Sequence, residues 1–439
     1  MISKTLTGAL LGASLLTAHA ATAQTAITIA TVNNPDMVRM QAMATDFTAK
    51  NPGIELRWVT LEENLLRQRV TTDIGTNGGQ FDIMTIGNYE VPIWAKLDWL
   101  LPMENLGADY DIDDLLPKVR AGLTYEDKLY ASPFYGESSM TYYRKDLFDK
   151  AGLTMPEKPD WAFIKDAAAK VTDKANNVYG ICLRGKAGWG ENINFITAMA
   201  NSYGARWFDE KWTPQFDQPA WKATLTDYVD LMQKYGPPGA STNGAVQALA
   251  LFAAGNCGIF IDATVFASML SDPAQSKVAD TVGFAPSPNN GLSKSAVTLW
   301  AWSLAIPAST KNKEAAEKFI AWATSKEYTE LVAAKYGIVN APPATRLSLY
   351  KNAEYLKAAP FADLTLQAVD AADPDNPTVD PVPYVGVQFV AIPEFQGFGT
   401  TVGQEFSAAV VGSKTVDEAL ASAQSITERA IKRAGYPKD

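Results

Sequence analysis

The sequence predicts an α/β fold of two lobes, in which each lobe is a sheet flanked by helices. The chain has 439 residues, whereas a single hydrophobic core stops growing near about 250–300 residues, so two cores are expected. Short apolar runs alternate with amphipathic stretches, which is the pattern of largely parallel α/β sheets. A composition of 47% hydrophobic and 20% charged residues is that of an ordinary globular protein.

The βαβ pattern begins near the start of the chain. Small and β-branched residues fill the run AITIATV, and apolar residues then recur at spacings of three and four up to the turn at 51–53. The mostly apolar run FDIMTI follows a Gly78-Gly79 turn and is typical of a buried parallel strand. The predicted strands are 26–32, 54–59 and 81–86, and the predicted helices are 37–47 and about 64–74.

A second group of alternating elements follows residue 178. The runs YGICLRG and CGIFIDA indicate buried strands, and the stretch from Lys313 to Thr324 is amphipathic. The proline-rich segment 371–383 is predicted to be an extended surface connection. The predicted strands are 179–185, 257–263 and 299–307, and the predicted helices are 192–203, 217–234, 243–254 and 313–324.

Residues 1–23 have the pattern of a secretory signal peptide. Lys4 precedes an apolar run, and small residues mark a cleavage site near Ala23. The apolar run is about half the ~20 residues that a membrane-spanning helix requires. No cysteine follows the cleavage site, so no lipid anchor is expected. The sequence thus predicts export to the periplasm.

Charge and histidine content exclude several classes of function. The formal net charge is −10, and it becomes about −11 without Lys4, so nucleic acid is not an expected partner and a neutral or cationic ligand is favoured. The only histidine is His19, within the predicted signal peptide. Its removal excludes Ser-His-Asp and Cys-His catalysis and takes away the commonest zinc ligand. We expect neither a cofactor nor a metal.

Polar groups follow several of the predicted strands. In an open α/β sheet, ligands bind where the carboxyl ends of the strands meet. The residues predicted to meet there are Asn33, Asn34, Asn88, Tyr89, Arg184, Trp189 and Asp262.

The stretch YASPFYGESSMTYYRKDLFDKAGL, residues 130–153, resembles the signature of family 1 bacterial extracellular solute-binding proteins. Strings such as GNYEVPIWAK, RGKAGWGEN and LWAW are similar to the sorbitol/mannitol-binding branch. The resemblance implies a two-lobed periplasmic binding protein fold with a ligand cleft at the hinge, acting as a monomer with the inner-membrane permease of an ABC importer. The expected lobes are 24–132 plus 290–345 for the first, and 133–289 plus 346–439 for the second.

A sugar alcohol requires carboxylate acceptors, amide groups and aromatic faces for its C–H surface. Relatives place a sugar-binding carboxylate at the position of Glu137 in the signature loop. A helix N-cap for Asp262, an ion pair for Arg184, core packing for the tryptophans and turn or capping roles for the asparagines are the structural alternatives. The predicted ligand-binding residues are Asn33, Asn88, Tyr89, Tyr135, Glu137, Arg184, Trp189, Asn192, Asp262, Trp300, Trp302 and Asn340.

The two cysteines and an acidic cluster each have more than one interpretation. Cys182 and Cys257 can form a disulfide only if their Cα atoms lie ~4.4–6.8 Å apart, and otherwise they are buried thiols. The acidic cluster 109–114 lacks the glycine and terminal glutamate of a calcium loop, so it is interpreted as a solvated turn.

Two alternatives to a polyol-binding protein stay open. The ligand could instead be a mono- or disaccharide, or the protein could be an exported glycosidase or lyase that uses paired carboxylates.

Overall fold

The structure is a computed structural model that describes residues 24–294 and 296–438. The predicted signal peptide, residues 1–23, lies outside the described residues. The strands are β1 (Thr25–Val32), β2 (Ile54–Leu61), β3 (Ile83–Ile86), β4 (Leu100–Leu101), β5 (Thr124–Tyr125), β6 (Lys128–Leu129), β7 (Ala131–Glu137), β8 (Ser139–Arg144), β9 (Tyr179–Cys182), β10 (Cys257–Ala263), β11 (Val282–Pro286) and β12 (Trp300–Pro307).

The helices pack around these strands, and in the described residues none is long and apolar enough to cross a membrane. They are α1 (Pro35–Lys50), α2 (Glu63–Gly75), α3 (Glu90–Lys96), α4 (Pro117–Gly122), α5 (Lys145–Ala151), α6 (Trp161–Val171), α7 (Asn192–Asn201), α8 (Pro219–Asp230), α9 (Ala245–Ala253), α10 (Phe266–Leu270), α11 (Lys313–Ala323), α12 (Lys326–Tyr336), α13 (Ala353–Ala358), α14 (Ala362–Ala371), α15 (Phe395–Val410) and α16 (Val416–Ala434).

The first sheet has the strand order β2-β1-β3-β12-β4, and β7 also pairs with β12. Strand β1 is parallel to β2 and β3, whereas β12 is antiparallel to β3 and β7. The carboxyl ends of β1, β2, β3 and β7 therefore meet the amino end of β12 at one edge. This edge holds Glu137, the last residue of β7, beside Trp300, the first residue of β12.

The second sheet has the strand order β11-β8-β10-β9. Strands β9 and β10 are parallel, and β8 is antiparallel to β10 and β11. The chain passes from the first sheet to the second at Ser138, between β7 and β8, where the Ser138 N–H donates to Thr264 Oγ1 at 3.1 Å. Because of this crossing, the end of β7 and the carboxyl ends of β9 and β10 face one cleft.

The two-lobed α/β architecture predicted from the sequence is confirmed. One predicted strand, 179–185, is too long, because the strand ends at Cys182 and a loop follows. Helix 217–234 is also interrupted, since α8 ends at Asp230 and a π-helical turn covers Leu231–Tyr235. The signature segment, interpreted as a loop around Glu137, instead forms the strand pair β7 and β8. The lobe boundaries given above remain a proposal.

The structure shows the contacts of the two cysteines and of the acidic cluster 109–114. Cys182 and Cys257 are joined in a disulfide, with their Cα atoms 5.9 Å apart, which links β9 to β10. In the acidic cluster, Asp111 accepts a hydrogen bond of 2.6 Å from Lys326 Nζ, and Asp114 accepts one of 2.6 Å from Ser348 Oγ. The cluster therefore ties the 108–114 segment to α12 and the segment after it.

Candidate ligand-binding cleft

A cleft of about 810 Å³, including its open mouth, lies between the two sheets. The first sheet supplies the residues that follow β1 and β2 and the adjoining ends of β7 and β12, and the second supplies the loop after β9 and the start of α9. The polar and aromatic lining residues are Asn33, Asn34, Glu62, Glu63, Arg67, Tyr135, Glu137, Arg184, Trp189, Glu191, Asn194, Gln247, Phe266, Trp300, Trp302, Gln388 and Phe389.

Seven of the twelve predicted ligand-binding residues line this cleft. Asn33, Arg184 and Trp189 were predicted from the ends of strands, and the Trp300 and Trp302 rings lie side by side with centroids 5.4 Å apart. Their lining position does not by itself establish ligand contact, which stays a prediction. The seven are Asn33, Tyr135, Glu137, Arg184, Trp189, Trp300 and Trp302.

Two predicted residues support the wall of the cleft instead of lining it. The Asn88 side chain donates to Leu299 O at 3.1 Å and accepts from the Ala301 N–H at 3.2 Å, so it holds the start of β12. Tyr89 is 1% exposed, donates to Ile392 O at 2.7 Å and packs against Trp189 with ring centroids 4.7 Å apart. In each case a backbone group that is distant in the sequence occupies the polar atoms.

Three more predicted residues are engaged with other parts of the protein. Asn192 donates to Gly403 O at 2.8 Å, and Asn340 accepts from Arg39 Nη2 at 3.0 Å. Asp262 pairs with Arg184 and faces a smaller cavity behind Glu137. Arg184 therefore forms the ion pair that was its structural alternative. Asp262 does not cap the following helix, because its carboxylate accepts from Arg184 and from the Ala263 N–H.

Sequence reasoning missed several polar residues of the cleft. Glu62 and Glu63 directly follow β2, and this position at the end of a strand was a signal for them in the sequence. The i, i+4 spacing of Glu63 and Arg67 was a further signal for a paired charge. The signals for Gln247 and Gln388 were weaker, because both lie in segments that meet the cleft only after folding.

Arg67 is enclosed by three tryptophans and two glutamates. Its guanidinium carbon lies 4.1 Å from the ring centroid of Trp189 and 4.7 Å from those of Trp300 and Trp302. Nε and Nη2 donate to Glu63 Oε1 at 3.0 and 2.9 Å, and Nη1 donates to Glu90 Oε1 at 3.1 Å. A cation held against aromatic faces is favourable in a desolvated site, so Arg67 fixes the three rings that face the cleft.

A second buried charge pair lies in the other lobe. Arg184 Nε and Nη2 donate to the two carboxylate oxygens of Asp262 at 2.9 and 2.5 Å, and Nη1 donates to Gly190 O at 2.9 Å. The carboxylate raises the pKa of Arg184 against the opposing effect of burial. Arg184 thus joins the end of β10 to the loop that carries Trp189.

Glu137 differs from these paired groups. It is 8% exposed, and no hydrogen bond joins its carboxylate to another described residue. Burial raises the pKa of Glu137 to about 8, although Arg184 nearby opposes the shift. Burial likewise raises the pKa of Glu191 to about 7. The cleft therefore contains buried carboxyl groups that are ready to exchange hydrogen bonds with a hydroxyl-rich ligand.

The raised pKa of Glu137 predicts how the stability of the ligand-free protein depends on pH. A raised carboxyl pKa contributes stability below the unfolded value of 4.5, and this stability is lost as pH rises towards about 8. We expect Glu137→Gln, which cannot ionise, to remove part of this loss, on the order of 3 kcal/mol. Urea unfolding at pH 5 and pH 8.5 measures the change in the free energy of unfolding for each protein. Glu314→Gln, with an 86% exposed side chain, is the control, and an equal pH slope for Glu137→Gln and the wild-type protein would contradict the prediction.

The fold and the cleft together define a class of protein. Two lobes, each built on its own sheet, contribute polar and aromatic residues to one enclosed site, which is how a bilobal binding protein surrounds a small solute. Residues 33–330 match the model of the family described as bacterial extracellular solute-binding protein. The chain belongs to this family, as its resemblance predicted, and it is a binding protein, not an enzyme.

Known relatives agree with this assignment over nearly the whole chain. A mannitol-binding protein of Pseudomonas aeruginosa is 56% identical over 412 residues, which cover 94% of each chain. A solute-binding protein of Agrobacterium vitis S4, solved with bound D-mannitol, is 67% identical with a TM-score of 0.93, covering 94% of this chain and all of that one (100%). A ribitol complex from Agrobacterium radiobacter K84 has a TM-score of 0.81 at 23% identity, covering 93% of this chain and 99% of that one, and it supports the fold alone.

Proposed function

We propose that this protein binds a linear sugar alcohol of the D-mannitol type between its lobes and delivers it to the membrane permease of an ABC importer. The observation that most directly supports this ligand is the 67% identity, over 94% of this chain, to a protein solved with D-mannitol. The 56% identical relative from Pseudomonas aeruginosa, a mannitol-binding protein, supports the same ligand. The chemistry of the cleft independently favours a ligand of this type.

The polar groups of the cleft suit a neutral ligand with many hydroxyls. The carboxyl group of Glu137 has no partner among the described residues, and the same is true of Asn194 Oδ1, which is also buried. Each is an acceptor whose desolvation costs about 1–3 kcal/mol unless a donor reaches it. A polyol hydroxyl is such a donor. The positive charges of Arg67 and Arg184 are already paired with carboxylates, so the cleft offers no unpaired cation to an anionic ligand.

The aromatic lining suits the C–H groups of a polyol. Trp189 comes from the second lobe and Trp302 from the first, and both are about 95% buried, at 5% and 4% exposure. Their faces can cover the C–H groups of a carbon chain, while acceptors bind the hydroxyls. We propose that Glu137, Asn194, Tyr135, Trp189 and Trp302 contact the ligand, and that binding requires neither metal nor cofactor.

A direct test compares polyols with other sugars. We expect D-mannitol at about 100 times its Kd to stabilise the protein by about 2.7 kcal/mol, measured as a shift in melting temperature. Glu137→Gln is expected to weaken D-mannitol binding about tenfold or more in calorimetry, because it replaces one carboxyl oxygen by an amide N–H₂ group that cannot accept a ligand hydroxyl, while Glu314→Gln binds normally. A response to maltose or glucose with none to D-mannitol, D-sorbitol or ribitol would contradict the proposed ligand.

We also propose that the protein acts in the periplasm as a monomer. The signal-peptide pattern of residues 1–23 and the family assignment support this location. Cell fractionation of the native host and loss of D-mannitol uptake in a deletion strain test the location and the permease partnership. Uptake that persists in the deletion strain would contradict the importer role.

A further inference from the structure

The first turns of α2 contact a single loop of the other lobe. Glu62 forms an ion pair with Lys186, Asn64 Nδ2 donates to Ala187 O at 3.1 Å, and Arg67 lies 4.1 Å from the Trp189 ring. The N-cap and first turns of a helix in the first lobe thus contact residues 186, 187 and 189 of a loop that follows β9 in the second. These contacts cross the cleft between the two sheets.

Two glycines allow the loop to approach so closely. A Cβ atom built at Gly188 would lie 2.5 Å from Asn64 Oδ1, and one at Gly190 would lie 2.5 Å from Glu63 Oε1. Neither glycine has a positive φ, so the backbone itself accepts alanine. The requirement for glycine at these positions therefore comes from the opposite lobe.

The loop is braced within its own lobe. The Gly188 N–H donates to Asn192 Oδ1 at 3.2 Å, and Asn192 Nδ2 donates to Gly403 O at 2.8 Å. Ser407 Oγ donates to Gly185 O at 2.6 Å. The loop is therefore held on α7 and α15 independently of the first lobe, and this explains the engagement of Asn192 away from the cleft.

We propose that residues 185–190 and the first turns of α2 form an interlobe latch that engages when the lobes close and slows the release of bound solute. Gly188 and Asn64 are then positioning residues that contact no ligand, since neither lines the cleft. The latch adds to the ligand's own contacts by stabilising only the closed state, and a reduced closed population raises the apparent Kd in proportion. The inference rests on the proposed function, because closure is the step that captures the solute.

The test measures D-mannitol binding to Gly188→Ala by calorimetry and by stopped-flow tryptophan fluorescence. We expect about a tenfold higher Kd, carried mainly by faster dissociation, because the added methyl group opposes Asn64 in the closed state. The melting temperature without ligand should not change. The matched control is Gly53→Ala, since no heavy atom lies within 4 Å of a Cβ at that position.

A double-mutant cycle separates the latch from a general defect of the loop. The Asn64→Ala background removes the three side-chain atoms of Asn64 that lie 2.5–3.2 Å from the added methyl group, so Gly188→Ala should cause no further loss of affinity there. Equal losses in both backgrounds, or a wild-type Kd for Gly188→Ala, would overturn the latch. A fall in the ligand-free melting temperature that matches the loss of affinity would also overturn it. Failure of the wild-type protein to bind D-mannitol would instead count against the proposed function.

Discussion

Replacement of Asp262 by asparagine is expected to lower the free energy of unfolding by about 3–5 kcal/mol, because it leaves a buried guanidinium without its counter-charge. Asp262 is 4% and Arg184 is 6% exposed, so water cannot replace the missing carboxylate. The asparagine still accepts one hydrogen bond, yet it carries no charge and returns an amide N–H₂ towards the guanidinium.

The chain offers a matched control for this prediction. Arg144 forms the same two-bond contact with Asp146, at 2.7 and 2.5 Å, but the Asp146 side chain is 40% exposed. Asp146→Asn should cost less than about 1 kcal/mol, since exposed pairs contribute little. Urea unfolding of both variants without ligand measures the difference. Similar losses for the two variants would show that burial does not determine the strength of the Arg184–Asp262 pair.

Arg67→Met is expected to destabilise the protein by a similar amount, about 3–5 kcal/mol. Glu90 is 1% exposed, burial already raises its pKa, and Arg67 is the charged residue that opposes this shift. Without the guanidinium, Glu90 must become protonated or remain as an unpaired buried charge. The tryptophan rings also lose the cation between them, so near-ultraviolet circular dichroism and fluorescence should change along with stability.

A second substitution distinguishes the charge effect from loss of packing. Glu90→Gln in the Arg67→Met background removes the unpaired charge and should recover a large part of the lost stability, whereas the aromatic signals should stay altered. Arg57→Met is the control, because Arg57 and Glu55 pair on the surface with side chains 59% and 44% exposed. No recovery in the double variant would mean that Arg67 acts through packing alone.

The predicted site shows where sequence reasoning succeeds and where it stops. Strand ends such as those before Asn33 and Arg184 could be recognised from local apolar runs, and these residues do line the cleft. Local sequence patterns could not show which polar side chains point away from the cleft. Asn88 and Tyr89 also follow a strand, yet their polar atoms bond to Leu299 and Ile392, which are distant in the sequence.

The amino-acid sequence is sufficient to establish the alternation of strands and helices, the absence of histidine after residue 23, the charge balance and the family, because each depends on composition or on neighbours along the chain. The folded structure was needed to show that β12 runs antiparallel to β3, that Arg184 pairs with Asp262 and that three indoles enclose Arg67. The physical reason is that burial and pairing are properties of contacts between distant segments. Those contacts determine which carboxyl groups pair with arginine and which, like Glu137, remain available to a ligand.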